Sequence, residues 1–401
     1  MKFDPNAFEI LQERGFFHTI SHEKELKGAL GKGPITFYLG FDPTADDLHI
    51  GNVFALQAFK ILQDCGHRGI ILLGGATAQI GDPSYKNDMR KLMETSDVDS
   101  NVSAIKKVLS RFIDVSITEF VNNADWTRQR GYIEFMREVG THFNVARMLA
   151  NECYKVRMQA GGLTFFEMGY MLIQAHDFIH LNDKYGCTLQ IGGSDQWGNI
   201  LAGVELSRKM ALKSGEPRPP MFAFCYPLLT TADGKKMGKT EKGALWINQS
   251  KTSVYDVFQY FMNVADEDVE RLLRYFTLIP INKIKSMCTD IVGAKKSMAF
   301  EITKKIHGEQ AAAEAQNMAQ QLFSGSGSDA PSETIKTHTR QLVDILALTS
   351  IIKSKREARE LLESGAIQID GERVTDINAT IKKDDFLVKK GKKTFLRVVI
   401  S

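Results

Sequence analysis

Cysteine is scarce in this chain. The five cysteines, Cys65, Cys153, Cys187, Cys225 and Cys288, lie far apart and form no C-x-x-C pair. That scatter excludes a disulfide framework and suits reduced thiols in a cytosol, each packed as a small hydrophobe. Long apolar runs are lacking too: none reaches the ~18 residues of a membrane span. Asp4, Glu9 and Glu13 give the N-terminus the charge of neither a signal peptide nor a transit peptide, so a cytoplasmic protein without membrane contact is expected. Gly-x-Gly-x-x-Gly is absent, which removes the usual dinucleotide fingerprint. Neither sign of charge dominates, with 51 Lys and Arg against 48 Asp and Glu. The excess is local: residues 340–401 carry +4 and the rest −1. A basic end on a near-neutral body points to a polyanion partner, and a solvated surface is the competing reading.

With 401 residues and 43% hydrophobic content, the chain can build two or three domains with real cores. From residue 33 to about 230, strand-like and helix-like runs alternate. The strand candidates are Ile35–Phe41, Gly69–Gly74, Val115–Asn122, Thr188–Gly192 and Tyr226–Thr230. Such alternation predicts a parallel sheet with helices on both faces. Residues 250 to about 322 read as helices, with Val254, Phe258, Phe261 and Met262 on one stripe. A Gly/Ser run ending in Pro331 reads as a linker. Beyond it, Ser354 starts an amphipathic helix with Glu357 as its capping-box partner, Gly365 stops it, and Ile367–Val374 is a hairpin turning on Asp370-Gly371.

The stretch from Tyr38 to Asn52 carries the most information. A buried strand runs through a tight loop into a helix that starts at His49-Ile50-Gly51-Asn52. A helix N-terminus at the carboxyl edge of a sheet attracts phosphate. His49 would donate to it and Gly51 would leave room for a flat base. His49 by itself would be read as a helix cap. This stretch resembles the HIGH signature of class I aminoacyl-tRNA synthetases, and Lys235-Lys236-Met237-Gly238-Lys239-Thr240 resembles their second signature, KMSKS. Between the two lie Gly81-Asp82-Pro83-Ser84, the helically spaced Tyr170, Gln174 and Asp177, and Gly192-Gly193-Ser194-Asp195-Gln196. In this order, the set resembles the bacterial-type tyrosyl-tRNA synthetase family over nearly the whole chain. The C-terminal segment is similar to the alpha-L RNA-binding module of a ribosomal small-subunit protein.

The resemblance implies an α/β fold: a Rossmann-like doubly wound parallel sheet, then an all-helical domain and a small α+β alpha-L RNA-binding module. The expected domains are 1–230 (catalytic, with an N-terminal helix), 231–322 (KMSKS-type loop and helical anticodon-side domain), 323–339 (linker) and 340–401 (RNA-binding). It further implies that the chain activates L-tyrosine with ATP and passes the tyrosyl group to tRNA, as a homodimer. Mg2+ would travel with the nucleotide, with no resident metal or tightly bound cofactor. That chemistry needs no general base, because the attacking carboxylate is already charged; it needs positioning and donors toward the phosphates.

By resemblance, Thr44 and His49 bind the phosphates, and Lys86 and Arg90 lie on a loop that closes over pyrophosphate. Lys236, Lys239 and Thr240 track its departure. Gly40, Asp42, Gly51, Asn52, Gly193 and Asp195 would complete the ATP site, Asn52 standing where the family has its last His. Gly238 replaces the superfamily's usual Ser, as is common in tyrosyl enzymes. Tyr38 and Asp177 would bind the substrate phenol; Asp82, Tyr170 and Gln174 its ammonium; Gln196 would sit near its carboxylate, with Asn123 supporting the pocket. Lys353, Lys355, Arg356 and Arg359 would touch tRNA. A face bearing Tyr170, Gln174 and Asp177 makes a poor core, because unpaired buried polar groups are costly. Phe165 and Phe166 fit either core or dimer contacts.

Competing readings are a tryptophan–tRNA ligase, an RNA-binding splicing or chaperone protein on this scaffold, and a P-loop ATPase. The P-loop needs four residues between its glycines, and Gly234 to Gly238 has three. His176-Asp177-Phe178-Ile179-His180 mimics H-E-x-x-H, but with a shorter acid and no clear third ligand.

Overall fold

A computed structural model describes residues 2–85, 93–240, 243–324, 332–391 and 394–401. It divides into two compact units, Met1–Gly308 and Glu309–Ser401.

The first unit is built on a six-stranded sheet: β1 (Thr19–Ile20), β2 (Thr36–Phe41), β3 (Arg68–Leu73), β4 (Glu119–Asn122), β5 (Cys187–Gly193) and β6 (Phe222–Tyr226). The spatial order is β1-β6-β5-β2-β3-β4, parallel except for the short β1, which runs antiparallel to β6. Ile-Ile-Leu-Leu in β3 and Phe-Ala-Phe-Cys-Tyr in β6 are buried without alternation, as strands covered on both faces must be. The chain winds outward from β2 through β3 to β4, then returns to β5 on the other side of β2 and winds outward again. The direction therefore reverses between β2 and β5, and ligands of such sheets sit at the carboxyl ends of the strands at that point.

Helix α1 (Ile50–Asp64) follows β2 and packs so closely that a Cβ on Gly69 of β3 would stand 2.2 Å from the Phe59 ring. Helix α2 (Phe165–Tyr185) opens with the capping box of Thr164 and Glu167. Glu167 is 1% exposed and pairs with Arg157 at 2.8 Å. Helix α3 (Trp197–Ser214) leaves β5 through the turn Ser194–Gln196 and lies against α2.

Beyond β6 comes a small hairpin, β7 (Lys239–Thr240) with β8 (Gly243–Ala244), then helices α4 (Val254–Met262), α5 (Val269–Phe276) and α6 (Ile291–His307). Val257, Phe258 and Phe261 form the buried stripe of α4; Phe258 and Phe261 are as expected, whereas Val254 and Met262 are half-buried and Val257 takes their place. Arg14 ties the N-terminal region to α5: its guanidinium donates to the carbonyls of Arg274, Thr277 (2.6 Å) and Ile279, groups that the end of a helix leaves unpaired.

Two strands differ from expectation. The last strand of the sheet is Phe222–Tyr226, not Tyr226–Thr230, because Pro227 has no N–H to continue the ladder. The fourth begins at Glu119, not Val115: Asp114 folds back to accept the Ser116 N–H at 2.9 Å, and the resulting turn delays the strand.

The second unit contains α7 (Glu309–Ser324), β9 (Ser332–Ile335), α8 (Leu342–Leu348), α9 (Lys355–Glu363), β10 (Ile367–Ile369), β11 (Glu372–Val374), β12 (Asp385–Lys390) and β13 (Thr394–Ile400). Its sheet runs β11-β10-β12-β13-β9 and covers a core that includes Leu342, Leu346, Leu362, Val388 and Val398. The first helix of this unit starts at Glu309, ahead of the expected boundary at 322, and Ser332–Ile335, expected in the linker, pairs parallel with β13. The β-branched Thr334 and Ile335 suit that edge position. Asp370 (φ 49°) and Gly371 (φ 89°) make the tight turn between β10 and β11. Ser354 caps α9, but Glu357 accepts from the Lys353 N–H instead of closing a full capping box.

Candidate active site

A cavity of 360 Å³ opens where the winding reverses, between the carboxyl ends of β2 and β5. β2 brings Tyr38 and Gly40 to it, and β5 brings Gln190 and Gly193; α2 supplies Tyr170, Gln174 and Asp177 from one face.

The closed end is polar and buried. Tyr38 is fully buried, and its hydroxyl has no hydrogen-bond partner among the described residues. The Gln174 and Gln190 side-chain carbonyls are also buried without partners among the described residues. Beside them, the Asp177 carboxylate accepts from Asn123 Nδ2 at 2.9 Å and Trp126 Nε1 at 2.8 Å. Burial pushes its pKa up to about 7 despite these two donors. Burial, and next to it the Asp177 charge, raise the Tyr38 phenol well above its ordinary value. Asn123 is fully enclosed and stands one layer back: its Nδ2 donates to Asp177 and its Oδ1 accepts the Ala76 N–H at 2.7 Å. Its amide spans both groups from the end of β4, a position that does not face the cavity.

Midway along, the Tyr170 hydroxyl donates to Asp42 Oδ2 at 2.8 Å and Thr77 donates to Asp42 Oδ1 at 2.7 Å. Asp42, expected against the nucleotide, thus braces Tyr170 as well as lining the cavity. Asp82 is held by Gln196 Nε2 (2.6 Å) and the Ser84 N–H (3.0 Å). Tyr170, Gln174 and Asp82 thereby converge as acceptors around one volume, with Gln196 beside them.

At the mouth, His49 Nδ1 accepts the Gly51 N–H at 3.1 Å while Asn52 Oδ1 accepts the His49 N–H at 3.0 Å. His49 therefore is a helix cap, and its acceptor role fixes the proton on Nε2. Burial, followed by the Lys236 charge, lowers its pKa, so the ring is a neutral donor. Asn52 spends its oxygen on the cap and keeps its NH2 for other partners. Thr44, Gly51, Asp195 and Lys236 complete the rim. Lys236 comes from a loop whose Met237 is 4% exposed and whose base pairs Thr230 with Lys236. Lys86 and Arg90 lie outside the described residues, as do the side chains of Lys239 and Thr240. The rest of the expected set from the first unit meets at or directly behind this one cavity.

Sequence reasoning passed over three groups. Gln190 was detectable as a lone amide inside the apolar run of β5. Trp126 and Thr77 left no pattern; their roles depend on which strand ends lie side by side. The zinc-like pair does other work: His176 Nε2 is 2.6 Å from the Arg130 guanidinium, a cation that disfavours metal, and His180 stacks on Trp126 with ring centres 4.1 Å apart. In the second unit, Lys353, Lys355, Arg356 and Arg359 are exposed on or beside α9, with Lys355 paired to Asp344 and Arg356 to Glu360.

The family described as tRNA synthetases class I (W and Y) matches residues 30–324, and the tyrosine–tRNA ligase SYY-like C-terminal domain matches 321–398. The tyrosine–tRNA ligase of Clostridium botulinum is 44% identical, covering 98% of this chain and 99% of the relative; that of Clostridium kluyveri is 45% identical with the same coverage. A C-terminally truncated mitochondrial tyrosyl-tRNA synthetase of Aspergillus nidulans superposes with a TM-score of 0.69 at 29% identity, covering 79% of this chain and 94% of that one. The fold and the matches define a class I aminoacyl-tRNA synthetase, an ATP-dependent ligase. Within that class, the chain belongs to the tyrosine–tRNA ligase family, in preference to the tryptophan and RNA-scaffold alternatives.

Proposed function

We propose that the cavity binds L-tyrosine with its phenol against Tyr38 and Asp177 and ATP across the mouth, making tyrosyl-adenylate and pyrophosphate before the tyrosyl group passes to tRNA. One observation carries this reading: the Tyr38 hydroxyl, a buried polar group without a partner among the described residues, faces a cavity that also holds a carboxylate. Unpaired buried groups cost about 1–3 kcal/mol, so a ligand hydroxyl that completes them is favoured and a phenyl ring that leaves them empty is rejected.

The roles follow from donor and acceptor chemistry. Asp82, the Gln174 carbonyl and the Tyr170 oxygen accept from the substrate ammonium. Gln196 orients the carboxylate that attacks the α-phosphorus. Asn123 and Trp126 keep Asp177 aimed at the phenol. The His49 Nε2–H and Thr44 donate to phosphate oxygens as charge grows there, and Asn52 holds His49 in place. Gly40, Gly51 and Gly193 let backbone approach the nucleotide, Asp42 braces the wall, and Asp195 takes a ribose hydroxyl. Lys86, Arg90, Lys236, Lys239 and Thr240 stabilise the leaving pyrophosphate, with Mg2+ arriving on ATP. No carboxylate dyad or nucleophile–base pair is required.

The domain roles belong to the same reading: a catalytic sheet, an anticodon-side helical region, and a C-terminal module that grips tRNA(Tyr) through Lys353, Lys355, Arg356 and Arg359. A homodimer in the cytoplasm completes it. The exposed Phe165 (69%) and Phe166 (49%) at the start of α2 support a dimer contact over a core role. Tyrosine-dependent exchange of labelled pyrophosphate into ATP tests the whole reading. Exchange driven by tryptophan instead, or no exchange, overturns it.

A further inference from the structure

The loop that carries Lys236 is fastened at both ends to the helices that follow it. At its base, Asp268 Oδ2 accepts the Ala232 N–H at 3.0 Å. Asp268 is 2% exposed and pairs with Arg271, whose guanidinium also holds the Thr230 carbonyl. At its far end, the Gly238 N–H donates to the Tyr260 hydroxyl oxygen at 2.9 Å. Gly238 has φ +80°, and a Cβ there would stand 2.4 Å from Ile50 Cγ2. The bare backbone of the loop is thus pressed onto the first residue of α1, next to His49. Leu245 N–H then donates to the Gly238 carbonyl and its own carbonyl accepts the Ile50 N–H at 3.1 Å, so one chain of bonds links Tyr260, the loop and the head of α1.

We propose that Tyr260 is a positioning residue for the nucleotide step: its phenol oxygen latches the Gly238 amide, and the latch holds Lys236 at the rim of the cavity. The proposal rests on the reading that the rim receives the triphosphate. Tyr260 lies on α4, outside the tyrosine pocket, so its effect is confined to the ATP side of the reaction.

Tyr260→Phe removes the oxygen and keeps the ring. Hydrogen exchange at the Gly238 amide should quicken by about threefold to tenfold, the worth of one neutral hydrogen bond. In pyrophosphate exchange, kcat/KM for ATP should fall by a similar factor. The Kd for labelled tyrosine in equilibrium dialysis should not change, and the thermal midpoint should fall by no more than one hydrogen bond is worth, about 1–3 °C. Unaltered exchange at Gly238 overturns the latch, and so does a loss of tyrosine affinity matching the loss with ATP, which would mark a general disturbance. If the wild-type protein gives no tyrosine-dependent exchange, the reading of the reaction fails, and the Gly238 amide alone then decides the latch: faster exchange in the variant upholds it and equal exchange overturns it.

Discussion

Tyr38 and Asp177 face the same small volume from a strand and a helix, so each should control the choice of amino acid. Tyr38→Phe leaves packing intact and removes one partner for the phenol. The ratio of kcat/KM for tyrosine over phenylalanine should drop by about tenfold or more, in line with one lost hydrogen bond in a buried site; an unchanged ratio would place the phenol elsewhere. Asp177 adds a pH signature. An unfolded aspartate titrates near ~3.9, whereas the folded one has been pushed up to about 7. Between those values the native chain keeps a proton that the unfolded chain has lost, so this group's contribution to stability falls as pH rises through the window and levels off above it. Thermal unfolding of Asp177→Asn should therefore gain on wild type from pH 4 to pH 7 and run parallel beyond, and parallel curves throughout would contradict the assigned pKa. At this scale the sequence was highly legible, because Tyr170, Gln174 and Asp177 make no sense as a core face. Trp126 and Asn123 were harder, since hydrogen bonds to a residue fifty positions away leave no local pattern.

Helices and strands respond to their ends. Arg14 supplies donors to three carbonyls at the close of α5, and it is 7% exposed. Arg14→Met keeps much of the volume and orphans those acceptors, which should cost roughly 3 kcal/mol, measurable as a shift of the urea midpoint. At the head of α2, Glu167→Gln breaks the buried ion pair with Arg157. That loss should also reach roughly 3 kcal/mol, against about 1–2 kcal/mol for Thr164→Ala, which removes the cap and one hydroxyl hydrogen bond to Glu167. Equal effects of the two changes would mean that the pair is not buried in solution. Strand positions were read from apolar runs, and that signal succeeded for β2, β3 and β5. It slipped at Pro227 and Asp114, where one residue's backbone chemistry overrides the run. β1 and β9 escaped it because two to four residues at a sheet edge carry too little pattern.

At the scale of the whole molecule, the two units should separate in function. Deleting residues 332–401 is expected to leave pyrophosphate exchange within about twofold, while tRNA charging falls by an order of magnitude or more, because the phosphate contacts that dominate RNA affinity go with the deleted cations. Loss of both activities together would show that the tail serves the catalytic unit directly. The doubly wound architecture could be foreseen from alternation alone. The extent of the second unit could not, since α7 is a run of small residues with no strong claim on either core.

The reversal of winding between β2 and β5 has a consequence for biosynthesis. Tyr38 emerges from the ribosome long before Gln190 and Lys236, and neither half of the sheet encloses a cleft without the other. Nascent chains that end before Gln190 and Lys236 thus lack one wall and part of the rim of the cavity. Ligand capture becomes a checkpoint on completed folding, and substrates can shield from proteolysis only those molecules whose catalytic unit has closed.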